Sequence, residues 1–410
     1  MHKKVLKALS AAAIAALCAT GAAIPAFAQN VERPPSFDPA RIAGIKAVGE
    51  NYRIANPVGS DGFMRLYVVK AQAGDITVIG DALMRTRMVE LGALAELNRI
   101  SASDSFNKSL VDAGLSPIRY AGELITNPGQ TISNTLSGIG SLFGQVGSGM
   151  NNMGKTPDDP MQSLLGVTKK RRELAVHLGV DPYTDYEHLA AKMTQLSEAA
   201  AAGGLVVTGA LMAIPGVGGI IVTNTATSSN ISKLTRDLTA AQLMDLNRKK
   251  IADMGIDAAT GETLLTNRAF TPLDVTVIVA SLESMSAVQN RGTFIARASS
   301  VNRHDAAYFM RKQAELLSDY YAKTGALTAF VTLGGYPFNV TRQGGVIGVL
   351  PIDALSWTDN TARSMKEIAS AARAHGYAGR AEMRITGQST ALAKQQLKDL
   401  GWTITDNFKP

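Results

Sequence analysis

An α+β fold assembled from several segments is the architecture this sequence predicts, and three observations predict it. Residues 63–79 carry a strand, turn, strand pattern followed at once by helical spacing. Residues 161–325 keep helical spacing with repeated capping signals, and residues 326–410 alternate strand with helix. The expected plan is an N-terminal β-hairpin plus helix, a central helical region with a Gly-rich apolar segment, and a small C-terminal α/β unit with a parallel strand, helix, strand crossover.

The first 28 residues have the layout of a cleavable secretory signal peptide. Lys3, Lys4 and Lys7 form a positive start, residues 9–24 are alanine-rich and uncharged, and Ala26-Phe27-Ala28 supplies a small-x-small cleavage site. Cleavage is expected before Gln29. A lipoprotein anchor at Cys18 would need a small residue before the cysteine, where Leu17 stands, and the Ala-Phe-Ala site opposes an uncleaved anchor. The expected location is periplasmic or extracellular, with membrane association open. Cys18 is the single cysteine, so a chain cut before Gln29 has no disulfide, thiolate ligand or cysteine nucleophile. Its net charge falls from +7 to +4 because three lysines leave and no acid does. That is mildly basic, compatible with anionic lipid or cell-wall polymer, and too weak to argue for nucleic acid.

Residues 29–60 hold Pro34, Pro35, Pro39 and Pro57 with little periodicity and read as a loosely ordered lead. A ββα unit is expected over 61–123. Strands at 63–71 and 75–79 are joined by Gln72-Ala73-Gly74. Asp81 is a candidate cap for a helix running to about Ile100, with Met84, Met88, Leu91 and Leu94 at helical spacing.

Residues 124–160 are a Gly/Ser-rich segment with no charge from Leu124 to Gly154, read either as a linker or as an amphipathic helix. Asn127 and Pro128 suit a helix start, and Ile132, Leu136, Ile139, Phe143, Val146 and Met150 then alternate steps of four and three. Interior glycines each cost roughly 1 kcal/mol relative to alanine, so such a helix needs its stripe buried. Lipid, a partner or the protein's own core could bury it.

Within the helical region 161–325, a helix over about 168–178 carries Lys169-Lys170-Arg171-Arg172 and stops at Gly179. Thr184 with Glu187 reads as a capping box for the next. Residues 199–232 are again uncharged. Their centre, 203–222, contains Leu205, Val207, Leu211, Ile214, Ile220 and Val222 interrupted by Pro215-Gly216. Twenty helical residues span about 30 Å, a bilayer's hydrocarbon thickness, yet glycines and a central proline fit two short buried elements equally well. Further starts are expected at Thr239 with Gln242, at Thr271-Pro272 with Asp274, and at Asn302 with Asp305. In the small α/β unit 326–410, strands are expected at 327–333, 346–350, 381–386 and 402–405, with helices at 362–374 and 390–400.

Chemistry is sparsely encoded. Gly138-Ile139-Gly140 and Gly216-Val217-Gly218-Gly219 are incomplete nucleotide fingerprints, so no cofactor is expected. Gly387-Gln388-Ser389-Thr390, at a strand-to-helix turn, is a weak anion site or an ordinary capped turn. Asp181, Asp185, Glu187 and His188 form the densest polar cluster, but Pro182-Tyr183 and a capping Glu187 make a metal site unexpected. Catalytic residues are not identifiable, and the balance leans away from an enzyme. The leading expectation is an exported envelope protein meeting a membrane surface or envelope partner through the twelve apolar residues of 132–150 and 205–222 named above. The rival expectation is a soluble ligand-binding protein or hydrolase, with its pocket at the carboxyl ends of the C-terminal strands.

Overall fold

The computed structural model describes residues 31–102, 160–201 and 225–410. Residues 1–30, the first uncharged stretch and the apolar centre 203–222 of the second, with the twelve apolar contact candidates, lie outside the described residues. Within them the fold is α+β: an N-terminal antiparallel sheet with a helix, a helical middle, and a C-terminal five-stranded mixed sheet.

The N-terminal sheet is built around β3 (Arg65–Ala71), whose alternating residues Tyr67 and Val69 are fully buried. β4 (Ile76–Ile79) lies along one edge, and the predicted hairpin forms with Leu66 opposite Ile79. β1 (Tyr52–Ile54) and β2 (Gly59–Ser60) share the other edge. The lead expected to be loosely ordered is therefore corrected over residues 37–60. Phe37 and Val58 exchange backbone hydrogen bonds at 2.8 and 2.9 Å, and Ile42, Ile45, Ile54 and Val58 are buried. Cross-strand pairing orders this stretch, and such pairing leaves no local period to read. α1 (Asp81–Ser101) lays Met84, Leu91, Leu94 and Leu97 on the sheet. Gly80, not Asp81, holds its N-cap position.

α2 (Pro160–Leu178) and α3 (Glu187–Ala201) form a hairpin that completes this first core through Leu174, Leu178, Leu189, Met193 and Leu196. Gly179, at φ +67°, ends α2 as expected. The Thr184 and Glu187 capping box does not form. Thr184 instead accepts the Tyr186 N–H at 3.1 Å and donates its hydroxyl to Glu90, so α3 starts three residues later. The basic run on α2 is half turned inward: Arg172 Nε donates to the Arg236 carbonyl at 3.0 Å, and Arg171 Nη1 to Thr194 Oγ1 at 3.1 Å.

The middle continues with α4 (Thr225–Asp237), α5 (Ala240–Asp253), α6 (Ala258–Leu265), α7 (Pro272–Ser284), α8 (Gly292–Ser299) and α9 (His304–Thr324). Both capping boxes read at Thr239 with Gln242 and Thr271 with Asp274 are present. The start read at Asn302 is not: Arg303 precedes α9 without a side-chain cap, and Asp305 is bound to Arg303 instead. Among the described residues, no helix is long and apolar enough to cross a membrane.

The C-terminal sheet has the order β11-β9-β7-β6-β5. β5 (Leu327–Leu333), β6 (Tyr336–Thr341) and β7 (Val346–Leu350) run antiparallel, whereas β7, β9 (Ala381–Ile385) and β11 (Trp402–Thr405) run parallel, connected by α10 (Asp359–Ala374) and α11 (Ala391–Asp399). A short parallel ribbon, β8 (Ala354–Leu355) with β10 (Gln388–Ser389), extends the carboxyl ends of β7 and β9. β6 was absent from the expected strands because Pro337 argues against a strand, although Gly334-Gly335, both at positive φ, is a hairpin signal that points the other way.

Phe338, Val346, Met383 and Trp402 face α10 and α11, while Phe330, Ile347 and Val349 share a core with α7, α8 and α9. Every residue of β7 is buried, as a strand covered on both faces requires. Asn339 sits opposite Phe330 and Ile347 on β6, 1% exposed, with no partner for either amide atom. Such a group costs roughly 1–3 kcal/mol. Asn339→Val is therefore expected to raise stability by about 1–2 kcal/mol, measured as an upward shift of the urea midpoint.

Candidate functional site

Among the described residues, a dense set of converging ionisable side chains lies where α1, the α2–α3 turn, α7 and α9 meet. The turn is shaped by Asp181, whose Oδ1 accepts the Tyr183 N–H at 2.8 Å. This aims Asp181, Thr184 and Asp185 at the neighbouring helices. Arg87, on the inner face of α1, donates to Glu90 at 2.6 Å and to both Asp185 oxygens at 2.9 and 3.1 Å, and lies over the Tyr186 ring. His304, in the first turn of α9, places Nε2 3.3 Å from Asp185 and Nδ1 3.1 Å from the Ala269 carbonyl, with Asp274 at 3.8 Å. Asp274 accepts the Thr271 N–H at 2.9 Å and Arg311 at 3.0 Å. Arg311 also reaches Glu315 at 3.0 Å, which accepts in turn from Lys312.

Contacts between polar and charged side chains thus run from Glu90 on α1 through His304 to Lys312 on α9, and Arg87, Glu90, Asp274, Arg311 and Glu315 are all buried. Burial pushes the Glu90 carboxyl up, with Arg87 and the Thr184 hydroxyl pulling it back. Asp181, half-buried and hydrogen-bonded by Thr271 Oγ1 at 2.7 Å, is pushed up to about 6 by burial and by the Asp274 charge. Asp181, Glu90 and Arg311, with Thr86 and Leu273, line a cavity of about 20 Å³, room for one water. The arrangement can hold that water and exchange a proton at Asp181. Its other charged side chains are paired with one another.

The polar cluster read from the sequence is dispersed. Asp181 serves Thr271 and Tyr183, Asp185 serves Arg87 and His304, Glu187 is exposed, and His188 packs edge-on to Tyr186. Among the described residues, no three metal-capable side chains converge. Sequence reading missed Arg87, Glu90, Arg311 and Glu315. The available signal was charge inside an apolar stripe: Arg87 and Glu90 interleave with Met84 and Leu91, and Arg311 with Ala307 and Ala314.

At the carboxyl ends of β7 and β9, the turn weighed as an anion site already holds an anion of the chain itself. The Glu32 carboxylate accepts the Trp357 N–H at 2.5 Å and the Thr390 hydroxyl, while Thr390 Oγ1 caps α11 by accepting the Ala393 N–H at 3.1 Å. Ser389 donates to Asp406 at 2.7 Å, and Asp406 pairs with Lys394. Gly62 and Phe63 close over the same region through backbone bonds to Ser356, Asp353 and Ala354. Comparison of the chain with protein-family models, with curated proteins and with solved structures finds no match in any of the three.

Proposed function

We propose that this chain is an exported, non-enzymatic protein of the cell envelope that attaches to a membrane surface or envelope partner through residues 127–150 and 203–222 of its two uncharged segments. The observation that carries this reading is where those segments join the fold. α2 and α3 are antiparallel, with Arg171 bonded to Thr194, so Pro160 and Ala201 lie at the same end of the hairpin. The chain therefore enters α2 and leaves α3 at one end of the hairpin. Two weak apolar contacts sharing one anchor point reinforce each other, because the second meets its target at the high effective concentration set by the first. The ion-pair chain around Arg87 and Arg311 supports a scaffold role, since its charges are spent joining α1, the α2–α3 turn, α7 and α9.

The test is fractionation of cells expressing the full chain, with the membrane pellet washed in alkaline carbonate. Retention in the pellet is expected, together with release when Phe143 and Leu211 are both changed to aspartate. Recovery of the unmodified chain in the soluble periplasmic fraction would refute attachment. Recovery in the cytoplasm would refute export.

A further inference from the structure

The N-terminal unit docks on the C-terminal sheet by an exchange of carboxylates. Glu32 is given to Trp357 and Thr390, as described. In return Asp353, at the carboxyl end of β7, reaches into the N-terminal unit, where its Oδ2 accepts the Asp81 N–H at 2.9 Å and the Arg65 N–H at 3.1 Å. Gly80 gives α1 no side-chain cap, so Asp353 caps α1 from 272 residues away. Next to it stands a second acid. Asp81 accepts from Arg65 Nη1 and from the Tyr67 hydroxyl, each at 2.5 Å, and Arg85 approaches it at 3.8 Å. Asp353 and Asp81 are both buried. The groups facing Asp353 are thus Asp81 on α1 and Arg65 and Tyr67 on β3, while from the C-terminal side Gln388 donates its backbone N–H to the Asp353 carbonyl.

We propose that Asp353 is a proton-operated latch: protonated, it holds β3 and α1 against the carboxyl end of the C-terminal sheet, and its ionisation beside Asp81 loosens that joint. Two acids share this buried site with one close guanidinium, so a second negative charge there is poorly compensated. Burial, then the Asp81 charge, push the Asp353 carboxyl up to about 7, against the two N–H donors and Arg65, which pull it down. Released into water, Asp353 returns to the ordinary value of 3.8. The docked state therefore binds the extra proton between these values. Its advantage is complete below about pH 4 and is lost as pH rises toward about 7.

Hydrogen exchange of the Arg65 and Asp81 amides in the full chain, corrected for intrinsic base catalysis, reads the joint directly because both amides donate to Asp353. Their protection is expected to fall by up to about tenfold per pH unit between pH 4 and 7, to level off above, and to stay below that of the Val349 amide inside the sheet. Asp353→Asn keeps an oxygen for both donors and is expected to give protection that does not vary with pH. Should that variant not fold, Asp81→Asn removes the neighbouring charge and is expected to move the midpoint of the wild-type slope to lower pH. A flat wild-type profile, protection equal to that of Val349 at every pH, an unchanged slope in Asp353→Asn, or an unmoved midpoint in Asp81→Asn would each overturn the latch.

Discussion

Arg311→Ala is expected to destabilise the protein by about 3–5 kcal/mol, one of the two largest losses anticipated for a single substitution. Arg311 is 4% exposed and bonds Asp274 and Glu315, which are 1% and 2% exposed. Removing the guanidinium takes the arginine partner from buried Asp274 and leaves buried Glu315 with Lys312, and that penalty exceeds anything the pairs gained when intact. Urea unfolding should report a lower midpoint with little change in slope. The comparison that isolates burial is Arg248, which pairs with Glu262 and Asp245 on the surface, its side chain 43% exposed. Arg248→Ala is expected to cost under about 1 kcal/mol, because water replaces what the partners lose. Equal losses at the two sites would mean that the Arg311 chain of ion pairs is no more than a surface ornament.

The second large loss is expected at Gly387. A Cβ placed there would stand 1.8 Å from the Asp353 carbonyl oxygen and 2.3 Å from its carbon, so the β8–β10 ribbon must part to admit even alanine. The obstruction is backbone, which cannot rotate away. Gly387→Ala is expected to cost about 3 kcal/mol or more, and to weaken the N-terminal joint, because the same residue whose carbonyl is displaced supplies the cap of α1. Gly376 is the control: with open space around its Cβ position it meets only the cost of its φ of +79°. A Gly376→Ala variant as damaged as Gly387→Ala would show that contact with Asp353 is not what matters.

Local signals explain what the sequence disclosed. The Thr239 and Thr271 capping boxes, the Gly179 stop and the β3–β4 hairpin all arise from side chains a few residues apart, and all are present. The crossover of β9, α11 and β11 was legible for the same reason, since strands and a helix each advertise their own period. Long-range pairing was not. Residues 37–60 look unstructured because their order comes from β3, and β6 looks like a loop because Pro337 is tolerated only once β5 lies beside it. The ion-pair site shared this fate. Thr184 with Glu187 reads as a helix start, yet Glu90, 94 residues away, takes the Thr184 hydroxyl and delays the helix. Asp81 reads as a cap, yet its own helix is capped by Asp353.

The exchange of Glu32 and Asp353 between the two ends of the chain also sets an order of events in time. A ribosome makes residues 31–101 first, yet the acceptor for the Asp81 amide arrives some 272 residues later, and the donors for Glu32 later still. Contacts this distant along the chain form slowly and only after costly loop closure. What must wait is the cap of α1 and the seat of Glu32, whereas Tyr67, Val69 and Leu97 are enclosed by α2, α3 and Tyr308, which come earlier in the chain. A chain stopped at residue 340 is expected to leave the Arg65 and Asp81 amides open to exchange, whereas the finished chain protects them. The last seventh of the protein thus supplies the final fastening of its first quarter.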